Sequence, residues 1–199
     1  RHFMKSSKLT KKIIAGKFKG KTLHLPPLSN TRSSKSVVLE SFFNTLQFDI
    51  IDATFVEVFA GSGSIGLEAL SRGASRVIFM EKDSDAFKTL QKNISTCNPS
   101  HCEAIRGNSF VNIDEVTNRL KKSNTKAYFY IDPPFSIRDG HEEIYNKTIS
   151  LISSLNPDVV ELITIEHMSG LELSETVGSF EKMKSKKFGN TTLTYYKCI

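Results

Sequence analysis

From residue 54 onward the chain alternates short apolar runs with amphipathic stretches, and this alternation constrains the fold more than any other feature. Residues 55–59, 77–80, 102–106, 126–131 and 158–166 read as strands, the first four of them short and largely apolar. Between them, 64–72, 84–95, 113–121 and 141–153 read as helices, with Asp83 placed as an N-cap. Successive strand–helix–strand units put their strands parallel and cover both faces of the sheet with helices. The end of the chain breaks the pattern. Residues 180–187 and 191–196 flank Phe188-Gly189-Asn190 as an antiparallel hairpin. The expected fold is therefore α/β and Rossmann-like: a mostly parallel seven-stranded sheet, closed by a C-terminal antiparallel hairpin.

The first 48 residues read as an extension to a domain spanning 49–199. Residues 4–12 are polar and basic, and Arg1-His2-Phe3 ahead of Met4 is expected to lie outside the fold. Ile13-Ile14-Ala15 and Thr22-Leu23-His24-Leu25 flank the basic tip Gly16-Lys17-Phe18-Lys19-Gly20-Lys21 as paired extended segments, which Pro26-Pro27 ends. Leu39, Phe42, Phe43 and Leu46 recur at i, i+3, i+4 and i+7, predicting a helix over 35–47.

Composition narrows the function classes. No run of about 18 apolar residues predicts a membrane helix. The three cysteines, Cys97, Cys102 and Cys198, form no spaced pair, so they read as reduced thiols of a cytoplasmic protein. His101 beside Cys102 has no partner pair at ligand spacing, and no metal site is expected. A formal net charge of +6 favours nucleic acid or another polyanion as partner, the plainer alternative being a merely basic soluble enzyme.

Gly61-Ser62-Gly63-Ser64-Ile65-Gly66 lies between the first strand and its helix. Glycines there permit a tight turn and close backbone approach, while the helix start offers free N–H groups. Glu81, at the end of the next strand, can accept hydrogen bonds from ribose hydroxyls. A dinucleotide would satisfy these features. Glu57, just ahead of the loop, suits a cationic amino group better than a pyrophosphate, which points to S-adenosylmethionine; a strand-end salt bridge is the plainer alternative. Asn108 falls where an adenine contact is expected, although Gly107-Asn108 is equally a turn. Phe59, Ala60, Lys82 and Ser109 are placed in the same expected site.

Asp132-Pro133-Pro134-Phe135 follows the apolar run Ala127-Tyr128-Phe129-Tyr130-Ile131. An exocyclic amine on a base has its lone pair delocalised into the ring, and acceptors on its two N–H bonds favour the tetrahedral geometry needed for attack. Asp132 can supply one acceptor and the Pro133 carbonyl the other, its direction set by the locked φ of Pro133 and Pro134. Phe135 can stack on the base. In another context the same four residues would be a plain turn.

Together these features resemble class I S-adenosylmethionine-dependent methyltransferases, and the run from Phe55 to Ala74 closely resembles the cofactor motif of the bacterial 16S ribosomal RNA guanine-N2 methyltransferase family, often called RsmD. Glu81-Lys82-Asp83 resembles its second motif and Asp132-Pro133-Pro134-Phe135 its acceptor motif. Gly16 to Leu23 and Phe188 to Leu193 resemble its terminal signatures. One stretch departs: where the family has Arg-Pro-Thr, Val-Arg-Glu and Phe-Asn, this chain has Arg32-Ser33-Ser34, Val38-Leu39-Glu40 and Phe43-Asn44. Arg32, Glu40 and Asn44 match, and Glu40 and Asn44 share a helix face that could border the cofactor or target base. The resemblance implies methyl transfer from S-adenosylmethionine, leaving S-adenosylhomocysteine, to a guanine N2 of 16S ribosomal RNA in an assembled small (30S) subunit or late precursor, by a monomer.

Lys17, Lys19, Lys21, Arg32, Lys186 and Lys187 are the expected RNA contacts, because cations interleaved with Phe18 and Phe188 suit phosphate neutralisation and base stacking. His167 reads as a packed or exposed histidine in preference to a site residue. Competing readings are methylation of DNA or of a protein amide, a nicotinamide oxidoreductase, and a non-catalytic ribosome assembly factor.

Overall fold

The computed structural model describes residues 9–26, 36–134 and 142–199; Arg32, Ser33, Ser34 and Phe135 lie outside the described residues. A short antiparallel pair, β1 (Thr10–Lys12) and β2 (Thr22–His24), precedes α1 (Ser36–Thr45). Strand–helix alternation follows: β3 (Thr54–Glu57), α2 (Ser64–Ser71), β4 (Arg76–Glu81), α3 (Ser84–Ser95), β5 (Cys102–Arg106), α4 (Ser109–Lys122), β6 (Ala127–Ile131), α5 (Glu142–Ser154) and β7 (Val160–Met168). The chain then runs through β8 (Thr176–Val177), β9 (Phe180–Phe188) and β10 (Thr191–Cys198).

The main sheet has the order β5-β4-β3-β6-β7-β10-β9-β8, parallel from β5 to β7 and antiparallel beyond. It contains one strand more than the seven expected. β8 pairs only Thr176 with Glu181 and Val177 with Phe180. Two residues are too few for a periodic signal. From β3 the chain builds β4 and β5 on one side, then returns after β5 to build β6 and β7 on the other. The carboxyl ends of β3 and β6 therefore flank a switch point, where open α/β sheets bind ligands.

Strand alternation sorts the core into two layers. Phe55 and Tyr130 face the layer that holds α1, α2 and the β1–β2 hairpin, whereas Val56 and Phe129 face α4 and α5. In the first layer Phe42 of α1 meets Tyr130 edge-on, with ring centroids 4.9 Å apart. The hairpin is bolted to this layer through polar contacts. The Ile14 N–H donates to Glu68 Oε1 at 2.9 Å and the Lys17 N–H to the Ser71 carbonyl at 2.8 Å. A Cβ on Gly16 would lie 1.9 Å from that carbonyl, so only glycine allows the approach.

Asn108 N-caps α4 by accepting from the Phe110 N–H, and the helix begins four residues before the expected start at 113. Gly66 of α2 packs flat on β4, and a Cβ there would meet the Phe79 ring at 2.4 Å and Val77 at 2.8 Å. Gly66→Ala should cost about 1–3 kcal/mol of stability through overpacking, lowering Tm by several degrees in a thermal melt; an unchanged Tm would show that the helix can shift without cost.

Candidate active site

Three carboxylates gather on one face of the sheet. Glu57 ends β3 in phase with Phe55, Asp132 follows β6 in phase with Tyr130, and Glu166 of β7 pairs across the sheet with Leu193. Leu193, Phe55 and Tyr130 all belong to the layer under α1, so the period of two turns the three carboxylates toward the same side. β3, β6 and β7 are consecutive in the sheet, which places the acids side by side at its carboxyl edge.

For Glu57 and Asp132 the environment resists negative charge. Glu57 is buried, and burial pushes its carboxyl up to about 8 despite hydrogen bonds from the Gly66 and Ile65 N–H groups at the start of α2. Its Oε2 accepts from the Gly66 N–H at 2.8 Å. Burial raises Asp132 well above its ordinary value, and the charge of Glu166, with which Asp132 shares a hydrogen bond, raises it further. The Tyr130 hydroxyl donates to Glu166 Oε1 at 2.6 Å, holding that carboxylate in place. Lys11, half-buried on β1, brings an ammonium toward the cluster: burial lowers its pKa, and Glu166, Glu57 and Glu68 partly restore it. An acidic, partly desolvated site of this kind is matched to a cationic ligand.

The loop after β3 is built to admit such a ligand. Gly61 takes φ +55° and nothing lies within 4 Å of where its Cβ would be. Gly63 is also left-handed, but a Cβ there would meet Leu90 at 2.5 Å, so this glycine serves packing. The buried Asn93 donates to the Ser62 carbonyl at 2.8 Å and also bonds both main-chain groups of His24, tying the loop to β2. Glu81 accepts from the Gly61 N–H at 2.7 Å and the Asp83 N–H at 2.8 Å, with lone pairs to spare for a diol. Ala60 is buried beside the loop, and its N–H bonds the Met80 carbonyl at 2.8 Å. Phe59 and Phe110 stand with ring centroids 5.3 Å apart on the α4 side. This set fits S-adenosylmethionine: a ribose acceptor, an open glycine approach, aromatic surface near the base, and acids for the cationic end.

The other expected site residues are placed as follows. Ser109 is buried, and its hydroxyl donates to the Val58 carbonyl, bracing the end of β3. Asn108 and Lys82 are exposed at the same edge. Pro133 and Pro134 are half-buried after Asp132. Lys17 and Lys21 sit over the Phe18 ring, 5.6 and 5.0 Å from its centroid, and Lys21 also donates to the Thr96 carbonyl. Lys19 is exposed on the same tip, while Lys186 and Lys187 are exposed on β9, far across the sheet. The two basic clusters thus lie apart. His167 points to the opposite face from Glu166, its Nε2 2.7 Å from Thr194 Oγ1, as a packed histidine does.

Glu166, Tyr130, Lys11 and Asn93 escaped the sequence reading as site residues. Glu166 had a visible signal, a carboxylate closing the apolar run Leu162-Ile163-Thr164-Ile165. Lys11 and Asn93 had none, because their roles depend on the hairpin docking 50 or more residues along the chain.

Comparison with known proteins places the chain in a family. The family model described as conserved hypothetical protein 95 matches residues 11–197. A Buchnera aphidicola protein named ribosomal RNA small subunit methyltransferase D is 34% identical over 154 residues, covering 76% of this chain and 73% of the relative. The Haemophilus influenzae protein of the same name is 33% identical over 150 residues, covering 73% and 72%. A solved Escherichia coli structure, described as a candidate methyltransferase, superposes with a TM-score of 0.72 at 28% identity, covering 95% of this chain and 98% of that one. The match spans nearly the whole chain, and the chain belongs to the conserved hypothetical protein 95 family, the family of the ribosomal RNA small subunit methyltransferase D proteins.

Proposed function

We propose that this protein transfers a methyl group from S-adenosylmethionine to the exocyclic N2 of a guanine in 16S ribosomal RNA, carried in an assembled small subunit or late precursor. The observation that carries the chemistry is the row of Glu57, Asp132 and Glu166 at the switch point of the sheet. The relatives' names support ribosomal RNA as the substrate, and the Asp132-Pro133-Pro134 motif supports an amino nitrogen as the acceptor.

When bound, S-adenosylmethionine supplies a methyl on a sulfonium, and the S–C electron pair returns to sulfur as the new N–C bond forms. Glu57, fixed by α2, faces the cationic methionine end. Glu81 accepts from the ribose hydroxyls beside Gly61, with Asn108 at the rim near the adenine. Asp132 accepts one N–H of the guanine amine and the Pro133 carbonyl the other, while Phe135 stacks on the base. After transfer the nitrogen is acidic, and its proton passes to Asp132, whose raised pKa makes it the better base for that task. Lys17, Lys19, Lys21, Arg32, Lys186 and Lys187 bind RNA.

The test is transfer of labelled methyl to small subunits from a strain lacking the gene, followed by mapping of the modified nucleotide. One methyl per subunit at a guanine N2 is expected. Label on adenine or on a ribosomal protein would refute the acceptor assignment, and no transfer to subunits, precursors or naked RNA would favour an assembly factor.

A further inference from the structure

An open cleft of about 480 Å³ lies between α1 and β9. Glu40, Ser41 and Asn44 line it from the helix, and Lys186 and Phe188 from the strand. None of these residues is needed for the chemistry above except as general RNA contact. Glu40 and Asn44 are four apart on α1 and both exposed. Lys186 Nζ lies 5.5 Å from the centroid of the Phe188 ring and donates to Ser41 Oγ at 3.0 Å.

Register fixes the cleft relative to the acids. Lys186 pairs with Leu193, which pairs with Glu166; Phe188 pairs with Thr191, which pairs with Met168. Lys186 is therefore level with Glu166 and two strands away, about 10 Å across the sheet. All of these side chains share the α1 face.

We propose that this cleft seats an unpaired RNA nucleotide close in the strand to the target guanine. This rests on the reading of the protein as an RNA methyltransferase. The lining matches a nucleotide part by part. Phe188 offers a flat face for stacking, Lys186 a cation for phosphate, and Asn44 both a donor and an acceptor. Glu40 accepts only, so it selects a base edge rich in N–H groups, which among the four bases is that of guanine. Lys184, two residues from Lys186 and exposed on the same face of β9, adds positive charge to the approach, which suits RNA better than a basic ribosomal protein. Sequence-specific RNA recognition works mostly on splayed, unpaired bases, and a second seated base would hold the target strand open beside Asp132.

The decisive experiment places the photo-crosslinking residue benzoylphenylalanine at position 188 of the full chain and irradiates it with small subunits from a strain lacking the gene. A crosslink within a few nucleotides of the methylated guanine is expected. A crosslink only to ribosomal protein, or to RNA remote from that guanine, overturns the proposal. In parallel, Phe188→Leu and Glu40→Gln should each raise KM for the subunit by about tenfold, with kcat moved far less and S-adenosylmethionine affinity unchanged by calorimetry. Phe188→Tyr should restore wild-type KM. If wild type methylates subunits normally and the variants keep its KM, the cleft assignment alone fails. If wild type transfers no methyl to any RNA, the functional reading fails and the cleft proposal goes with it.

Discussion

Replacing Asp132 by alanine should slow single-turnover methyl transfer about 10²–10³-fold, the usual loss when one preorganised polar contact to a transition state is removed. S-adenosylmethionine affinity should stay near wild type, because Glu57 and Glu81, not Asp132, face the methyl donor in the proposed arrangement. The environment of Asp132 adds a second signature. Its carboxyl is raised, first by burial and then by Glu166, so it must ionise before it can accept an amine N–H. The transfer rate should therefore rise with pH along an acid limb. Glu166→Gln removes the neighbouring like charge, lowers the Asp132 pKa, and should move that limb to lower pH. An Asp132→Ala enzyme that loses donor affinity and rate in proportion would show Asp132 to be a structural or donor-binding residue, and an unmoved limb in Glu166→Gln would separate the two acids.

S-adenosylmethionine should bind more tightly as pH rises toward about 8, and less tightly above it, where its own α-ammonium loses a proton. Glu57 is pushed up to about 8 by burial, so at neutral pH much of it is protonated and must give up its proton to face an ammonium. Below that value affinity should gain up to about tenfold per pH unit. Ligand-free stability runs the other way. A carboxyl whose folded pKa lies above its unfolded value makes the folded state bind more protons between the two, so stability falls as pH rises from the ordinary glutamate value of 4.5 to about 8. The full swing is on the order of 5 kcal/mol. Glu57→Gln should flatten both profiles, while its amide oxygen can still accept from the Gly66 N–H. Titration calorimetry in buffers of different ionisation enthalpy, with thermal melts across the same range, measures both effects. Affinity independent of pH in wild type would mean that the donor's ammonium binds elsewhere.

The two predictions share one physical theme. The protein holds several carboxylates at the edge of a sheet where water is partly excluded, and α2 supplies N–H groups to Glu57. A ligand bringing an ammonium and a sulfonium would favour their ionised forms, and wherever folding holds such a group protonated, ionising it lowers the net affinity. Lys11 gives a partial, built-in counter-charge, delivered by the same hairpin whose tip carries Lys17 and Lys19.

Local chemistry was enough to read the alternating elements, the glycine loop, Glu57 and Glu81 from the chain alone, because each depends on a few neighbouring residues: a period of two or 3.6, a turn needing positive φ, a cap. Asp83 behaves as the expected cap, accepting from the Ala86 N–H at 2.8 Å. Gly66 was read with the loop glycines but lies in the first turn of α2, and only the packing of Phe79 and Val77 against it shows why no side chain fits. The two-residue β8, the coupling of Asp132 to Glu166, the approach of Lys11 and the double bridge of Asn93 were decided by tertiary structure. Each depends on segments far apart in the chain being brought to one sheet edge, and pairing at that distance leaves no periodic or compositional trace in the residues that make it.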